Sequence, residues 1–201
     1  MIKAIIFDFG NVICRFTNEI LLDKISAISG KPKEEIRHLI YEVSELPQKF
    51  ETGLVSSNEF FEEMSKLCGL NISYDELKEI YSKDKFTRIE GMIKLIKLFK
   101  GKYKVGLLSN NSEWDFEYGV KMVPEINFFD TITLSYEVKA MKPDLKIFYD
   151  ALGKLKLSPQ ECVYTDDILE YVQAAESIGI NAIHFTDPDN FISSLKEIEN
   201  K

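Results

Sequence analysis

Four places in this chain set a reactive side chain at or beyond the end of an apolar run: Asp8 after IKAIIF, Ser109-Asn110-Asn111 after YKVGLL, Lys142 beyond TITL, and Asp166-Asp167 after ECVYT. As residue types they form a coherent set. A carboxylate is a nucleophile, a hydroxyl and amides hold phosphate oxygens, an ammonium supplies positive charge, and a further pair of carboxylates suits a hard cation. Mg2+ takes oxygen ligands at octahedral geometry and commonly uses one or two carboxylates plus a substrate phosphate. Attack of a carboxylate on phosphorus gives an acyl phosphate and divides the displacement into two in-line steps. The metal and Lys142 would offset the repulsion between an anionic nucleophile and an anionic ester.

Those side chains need elements that deliver them to one place. Residues 2 to 7 are a short β-branched and aromatic run that opens into Asp8-Phe9-Gly10-Asn11, the pattern of a buried parallel strand ending in a loop. Similar runs recur at Tyr103 to Leu108, Thr131 to Leu134, Glu161 to Thr165 and Asn181 to Phe185. Helical periodicity fits 90 to 100, 112 to 122, 144 to 156, 168 to 178 and 189 to 199, with Ser158-Pro159-Gln160-Glu161 as a turn. Asp166-Asp167 also suits an N-cap and first-turn acid for the helix beginning near 168. Strands alternating with helices predict an α/β fold with a doubly wound parallel sheet. Ligands of such sheets bind beyond the carboxyl ends of the strands, where all four reactive segments fall.

Between 15 and 87 the pattern changes to successive amphipathic stretches with no strand. Ser56-Ser57-Asn58-Glu59 and Ser73-Tyr74-Asp75-Glu76 place Ser three residues before Glu ahead of apolar-periodic segments, which predicts capping boxes and helix starts near 57 and 74. Lys31-Pro32 separates helices over 17 to 29 and 33 to 44, and Thr52-Gly53 marks a turn. The expected division is a Rossmann-like core of residues 1–14 and 88–201 with a helical cap of residues 15–87.

The ordered segments resemble the haloacid dehalogenase superfamily: FDFGNV at 7 to 12, LLSNNS at 107 to 112, KP at 142 to 143, and YTDD at 164 to 167 followed by VQAAESIGI. One such motif is weak evidence, whereas four in order, with the insertion after the first, are specific. The resemblance implies a phosphatase in which Asp8 attacks, Ser109 and Asn110 hold the phosphoryl group, Lys142 steadies it, and Asp166 and Asp167 bind Mg2+. Asp8 and the backbone carbonyl of Gly10 complete the implied metal ligands. A small phosphorylated metabolite, such as a sugar phosphate, is the implied substrate.

Two positions depart from the family pattern. Gly10 stands where hydrolytic phosphatases usually carry a second Asp, which protonates the leaving group and then activates water. General acid or base catalysis is worth about 10²–10⁴ in rate. Tyr171 stands where the last motif commonly has Asp or Asn, so metal binding leans on Asp166-Asp167. A metal-independent 2-haloacid dehalogenase is the competing enzyme, but adjacent carboxylates beside an anionic substrate repel it unless a cation lies between them. A non-catalytic binding or regulatory protein is the competing class, because fold alone does not guarantee chemistry.

Other conspicuous residues read as structural. His38 and His184 lack a triad-like companion, Trp114 reads as packing, and Phe50, Phe60 and Phe61 read as cap core. Phe50-Glu51-Thr52-Gly53 is a lesser candidate for the substrate entrance. With 201 residues, 45% apolar and 29% charged, the chain can bury a sizeable core. A net charge of −8 without a basic run argues against nucleic acid or an anionic membrane surface. The three cysteines, Cys14, Cys68 and Cys162, are widely spaced, which predicts free thiols. With no signal-like or membrane-spanning run, the expectation is a cytoplasmic protein, a monomer by default and a homodimer as the alternative.

Overall fold

The sequence Ala-Ile-Ile-Phe is apolar at every position, and a strand can hide all its side chains only between two layers. The computed structural model, which describes residues 1–200, places this segment, β1 (Ala4–Phe7), at the centre of a five-stranded parallel sheet. The others are β4 (Lys104–Ser109), β5 (Thr131–Leu134), β6 (Cys162–Asp166) and β7 (Asn181–His184), in the order β5-β4-β1-β6-β7. Alternate residues of β1 point to opposite faces. Ile5 and Phe7 join a core built with α6 (Glu90–Phe99) and α10 (Pro188–Glu199); Ala4 and Ile6 join one built with α8 (Leu145–Leu155) and α9 (Leu169–Ser177). This is the predicted doubly wound α/β architecture.

Register decides which residues meet at the sheet's carboxyl edge. Phe7 pairs with Leu107 of β4 and Thr165 of β6, so Asp8, Ser109 and Asp166 leave their strands within about one residue of the same level. The chain runs from β1 to one side of the sheet through β4 and β5, then to the other through β6 and β7. The crevice at that reversal lies directly beyond β1.

The stretch between contains helices α1 (Glu19–Ser29), α2 (Lys33–His38), α3 (Leu46–Glu51), α4 (Ser57–Cys68) and α5 (Tyr74–Ser82), with a π-helical turn at Leu39–Val43 after α2. Both predicted capping boxes form, Ser56 with Glu59 and Ser73 with Glu76. The helices share an apolar core in which Phe50 stacks on Phe60 at 4.1 Å between centroids, with Tyr81 and Trp114 edge-on to them. Trp114 belongs to α7 (Glu113–Tyr118), outside this helical stretch, and its indole N–H donates to the Tyr74 hydroxyl at 3.2 Å.

Three local expectations need correction. The helical stretch is not free of strand: β2 (Cys14–Phe16) and β3 (Phe86–Arg88) pair antiparallel across its two ends. Three-residue strands carry too little alternation to be recognised, and their partners lie far apart in the chain. Helix α3 precedes the Thr52-Gly53 turn, where no helix was expected. The helix expected over 112 to 122 stops at Tyr118, and short 3-10 turns follow. At Gly119 a β-carbon would lie 2.1 Å from the Phe86 ring, so this residue must be glycine for β3 to pack there.

Candidate active site

Asp8 follows β1 directly, and its N–H donates to the Thr165 carbonyl at 3.0 Å, continuing the sheet ladder for one residue. That bond fixes the backbone and leaves a carboxylate 7% exposed at the base of a crevice. Lys142, 2% exposed, donates from Nζ to Asp8 Oδ1 and to Asp166 Oδ2, each at 2.6 Å. One ammonium therefore joins residues from the ends of β1 and β6.

Asn110 explains how a lysine from an irregular segment reaches that place. Its side-chain Oδ1 accepts from the Lys142 N–H at 2.8 Å, and its Nδ2 donates to the Lys142 carbonyl at 3.2 Å. The Asn110 amide thus clasps the lysine's main chain. Ser109, 2% exposed, accepts from the Asn111 side chain at 3.2 Å, while the Asn111 N–H donates to Ser135 Oγ at 2.9 Å. Asn111 Oδ1 is buried without a partner among the described residues.

The two acids after β6 differ. Asp166 is fully buried and accepts from Lys142, the Tyr164 hydroxyl and the Ile168 N–H. Asp167 is half-buried and accepts from Asn11 Nδ2 at 3.1 Å. Sequence reasoning gave Asn11 no role; it sits at φ 55°, a left-handed conformation that Asn tolerates better than most residues. The N-cap role expected of Asp166-Asp167 is not met. Ile168 takes that position without a side-chain cap, and Asp166 Oδ1 instead closes a turn two residues on.

Asp8, Asp166 and Asp167 each offer an oxygen within 4.8 Å of the others. Against three carboxylates stands one ammonium, so the cluster carries surplus negative charge that a divalent cation would balance. The donors are all oxygen, with no imidazole or thiolate among them, which fits Mg2+. Burial raises the Asp8 carboxyl to about 7 against the pull of Lys142, and the Asp166 charge adds to the rise. Burial opposes the charge on Lys142, but Asp8 and Asp166 outweigh it and raise its pKa. Burial also raises Asp167, opposed by the Asn11 bond.

Gly10 lies beside Asp8. A β-carbon there would be 3.2 Å from two Phe16 ring carbons and 3.8 Å from Asp8 Oδ2. Tyr171 lines the crevice with its ring 5.0 Å below Lys142 Nζ, a cation–π contact rather than a metal ligand.

Above these residues is a cavity of about 230 Å³ whose outer wall includes Phe16, Phe86, Glu51, Lys85 and Asp115. Lys85 and Asp115 are buried and paired through both carboxylate oxygens, at 2.9 and 3.1 Å, and the Lys85 ammonium lies 4.8 Å over the Tyr81 ring. Sequence reasoning missed both, because Lys85 sits in an ordinary charged run and Asp115 reads as a first-turn helix acid. Glu51 reaches the cavity from the end of α3, and burial lifts its carboxyl to about 7, with Asp115 adding to the rise and Lys85 opposing it. In the entrance candidate Phe50-Glu51-Thr52-Gly53, Glu51 lines the cavity while Phe50 packs in the helical core. His38 is on the surface with Glu42, and exposed His184 contacts the Asp167 carbonyl from outside the crevice.

The haloacid dehalogenase-like hydrolase family model matches residues 5–185. A D-ribitol-5-phosphate phosphatase of Bacteroides thetaiotaomicron is 24% identical over 200 residues, covering 94% of this chain and 93% of its own length. The sesquiterpene phosphatase astK of Aspergillus oryzae is 28% identical, covering 92% and 90%. Among solved structures, a HAD family enzyme of B. thetaiotaomicron in complex with magnesium and inorganic phosphate superposes with a TM-score of 0.83 at 21% identity, covering 93% of this chain and 96% of that one.

Proposed function

The chain belongs to the haloacid dehalogenase-like hydrolases, and within that family we propose that it is a magnesium-dependent phosphatase of a small phosphorylated metabolite, acting through an aspartyl phosphate on Asp8. The observation that carries the proposal is Lys142 Nζ bridging Asp8 and Asp166 within a three-carboxylate cluster. Phosphatase relatives and a fold shared with a magnesium and phosphate complex support it.

Asp8, Asp167 and the Gly10 carbonyl, with Asp166 behind them, would hold Mg2+, which when bound neutralises charge on the phosphoryl group. Lys142 fixes Asp8 Oδ1, so the carboxylate's second oxygen is the one directed to phosphorus. Ser109 Oγ and the main chain of Asn110 bind phosphoryl oxygens; the Asn110 amide holds Lys142 in reach of them. Residues 15–87 serve as the cap over the crevice and supply specificity. A sugar or polyol phosphate is the substrate class we favour, in keeping with the ribitol-phosphate relative. Three buried free thiols suit a reducing cytoplasm, and we take the monomer as the working unit.

The dehalogenase reading requires turnover without metal. It is disfavoured because an anionic haloacid would meet the surplus negative charge of the cluster. The test is a panel of phosphorylated metabolites assayed with Mg2+ and with chelator, using the native chain and Asp8→Asn. An amide of the same shape cannot attack phosphorus, so turnover should vanish while the fold and melting temperature persist. Substantial residual phosphatase activity in Asp8→Asn would rule out the covalent mechanism.

A further inference from the structure

A glycine at position 10 leaves phosphate-ester chemistry without the acid that protonates the leaving group. The cavity wall holds few carboxyls that could replace it. Asp8 and Asp167 belong to the nucleophile and metal cluster, and Asp166 is closed behind Lys142 and Tyr164. Asp115 is held by Lys85 on one side and by the Ser112 hydroxyl, at 3.1 Å, on the other. Glu51 alone lines the same cavity with a side chain engaged in no hydrogen bond or ion pair among the described residues.

Its backbone is held as a catalytic position needs to be. The Glu51 carbonyl accepts from Ser135 Oγ at 2.5 Å, and that same oxygen accepts from the Asn111 N–H in the loop carrying Ser109 and Asn110. Two residues on, the Gly53 carbonyl accepts from Lys139 Nζ at 2.5 Å. The turn bearing Glu51 is thus docked on the segment that leads to Lys142. Resting on the phosphatase reading, we propose that Glu51 is the general acid and base of this enzyme, in place of the carboxyl absent at Gly10.

In the first step Asp8 forms its bond to phosphorus as the ester P–O bond breaks, and the Glu51 carboxylic acid gives its proton to the departing oxygen. In the second, the Glu51 carboxylate takes a proton from water as that water's oxygen attacks phosphorus and the Asp8–phosphorus bond breaks. Inorganic phosphate leaves and Glu51 is again an acid. The surroundings of Glu51 suit a proton carrier: burial and the Asp115 charge disfavour its ionised form, Lys85 opposes them, and the hydroxyls of Tyr41, Tyr81 and Tyr171 are neutral at physiological pH.

The test compares native chain and Glu51→Gln, both with Mg2+, on p-nitrophenyl phosphate, whose leaving group departs without help, and glycerol phosphate, whose alkoxide needs a proton. Glu51→Gln should lower kcat/KM on the alkyl ester about 10²-fold more than on the aryl ester, the usual worth of a general acid. Rapid quench should show phosphate accumulating on Asp8 in the variant, because the second step loses its base. Glu51→Gln combined with Gly10→Asp should recover alkyl-ester turnover, since Phe16 is 43% exposed and its ring is free to yield to the new side chain. Equal loss on both esters, or no loss on either, overturns the assignment to Glu51 while leaving the phosphatase reading standing. If the native chain hydrolyses neither ester, nor any phosphate ester in the panel, the phosphatase reading fails and this assignment falls with it.

Discussion

Asp166 and Asp167 are neighbours in the chain with opposite surroundings, and the difference predicts how each fails. Asp166 is buried and satisfies Lys142, Tyr164 and a backbone N–H. Replacing it with Ala leaves part of that network unpaired in the interior, at a cost on the order of 3 kcal/mol or more. Asp167 is half-buried with only the Asn11 amide on its side chain. Asp167→Ala should hold the native melting temperature within a few degrees but abolish the stabilisation that Mg2+ gives the native chain, whereas Asp166→Ala should melt well below native with or without Mg2+. Thermal melts of the three proteins across a Mg2+ series decide the point. A stable Asp166→Ala would contradict the clamp, and undiminished Mg2+ stabilisation of Asp167→Ala would remove it as a ligand.

Among the elements, the turn after α3 ties Glu51 to the segment that leads to Lys142. Gly53 has φ +66°, and a β-carbon there would lie 2.3 Å from the Tyr136 carbonyl oxygen and 2.4 Å from Lys139 Nζ. Gly53→Ala must push the turn off the core and carry Glu51 with it. Gly30, at φ +71°, ends α1 with open space where a β-carbon would stand, so Gly30→Ala meets only the left-handed penalty of roughly 1 kcal/mol. Both variants should lose some stability, but only Gly53→Ala should lose kcat/KM on alkyl phosphates, by roughly tenfold or more, as a displaced catalytic group does. Parallel kinetics of the pair check this; equal activity would mean the turn's position is irrelevant to turnover.

For the whole molecule, Glu51 stands half-buried where the helical stretch meets the crevice, and stability should register its carboxyl. Glu51 titrates near 4.5 unfolded and at about 7 folded. Below pH 4.5 both states hold the proton and the group is neutral in the balance. Between 4.5 and 7 the folded state keeps a proton that the unfolded state has lost, so stability falls as pH rises, and above 7 the penalty is complete. Glu51→Gln cannot ionise and should therefore melt at the native temperature near pH 4.5 and higher than native at about pH 8, by a few degrees, given about 2–4 °C per kcal/mol for a chain of this size. Calorimetry at the two pH values measures it, and a variant with no advantage at the higher pH would show that the Glu51 carboxyl is not shifted.

The chain order of apolar runs and the residues ending them made the sheet and its reactive edge legible. An all-apolar strand suits the centre of a sheet and ligands gather where central strands end, so Asp8, Ser109, Lys142 and Asp166-Asp167 were legible as candidates from the four ordered segments taken together. Ser56–Glu59 and Ser73–Glu76 fixed two helix starts because a capping box closes within four residues. What stayed hidden depends on contacts between distant segments. The β2–β3 pair, the clasp of Asn110 on Lys142 and the Lys85–Asp115 pair each join parts of the chain that no local periodicity links, whereas Glu51 was already in the segment singled out for the substrate entrance. Asn110 read as a phosphate ligand, and only the fold turned its amide to the lysine backbone. Sequence by itself determined which groups stand at the edge of the sheet; the packing of the helical layer over that edge decided which of them are free to act, because burial and partnership are properties of the assembled site and not of the residue.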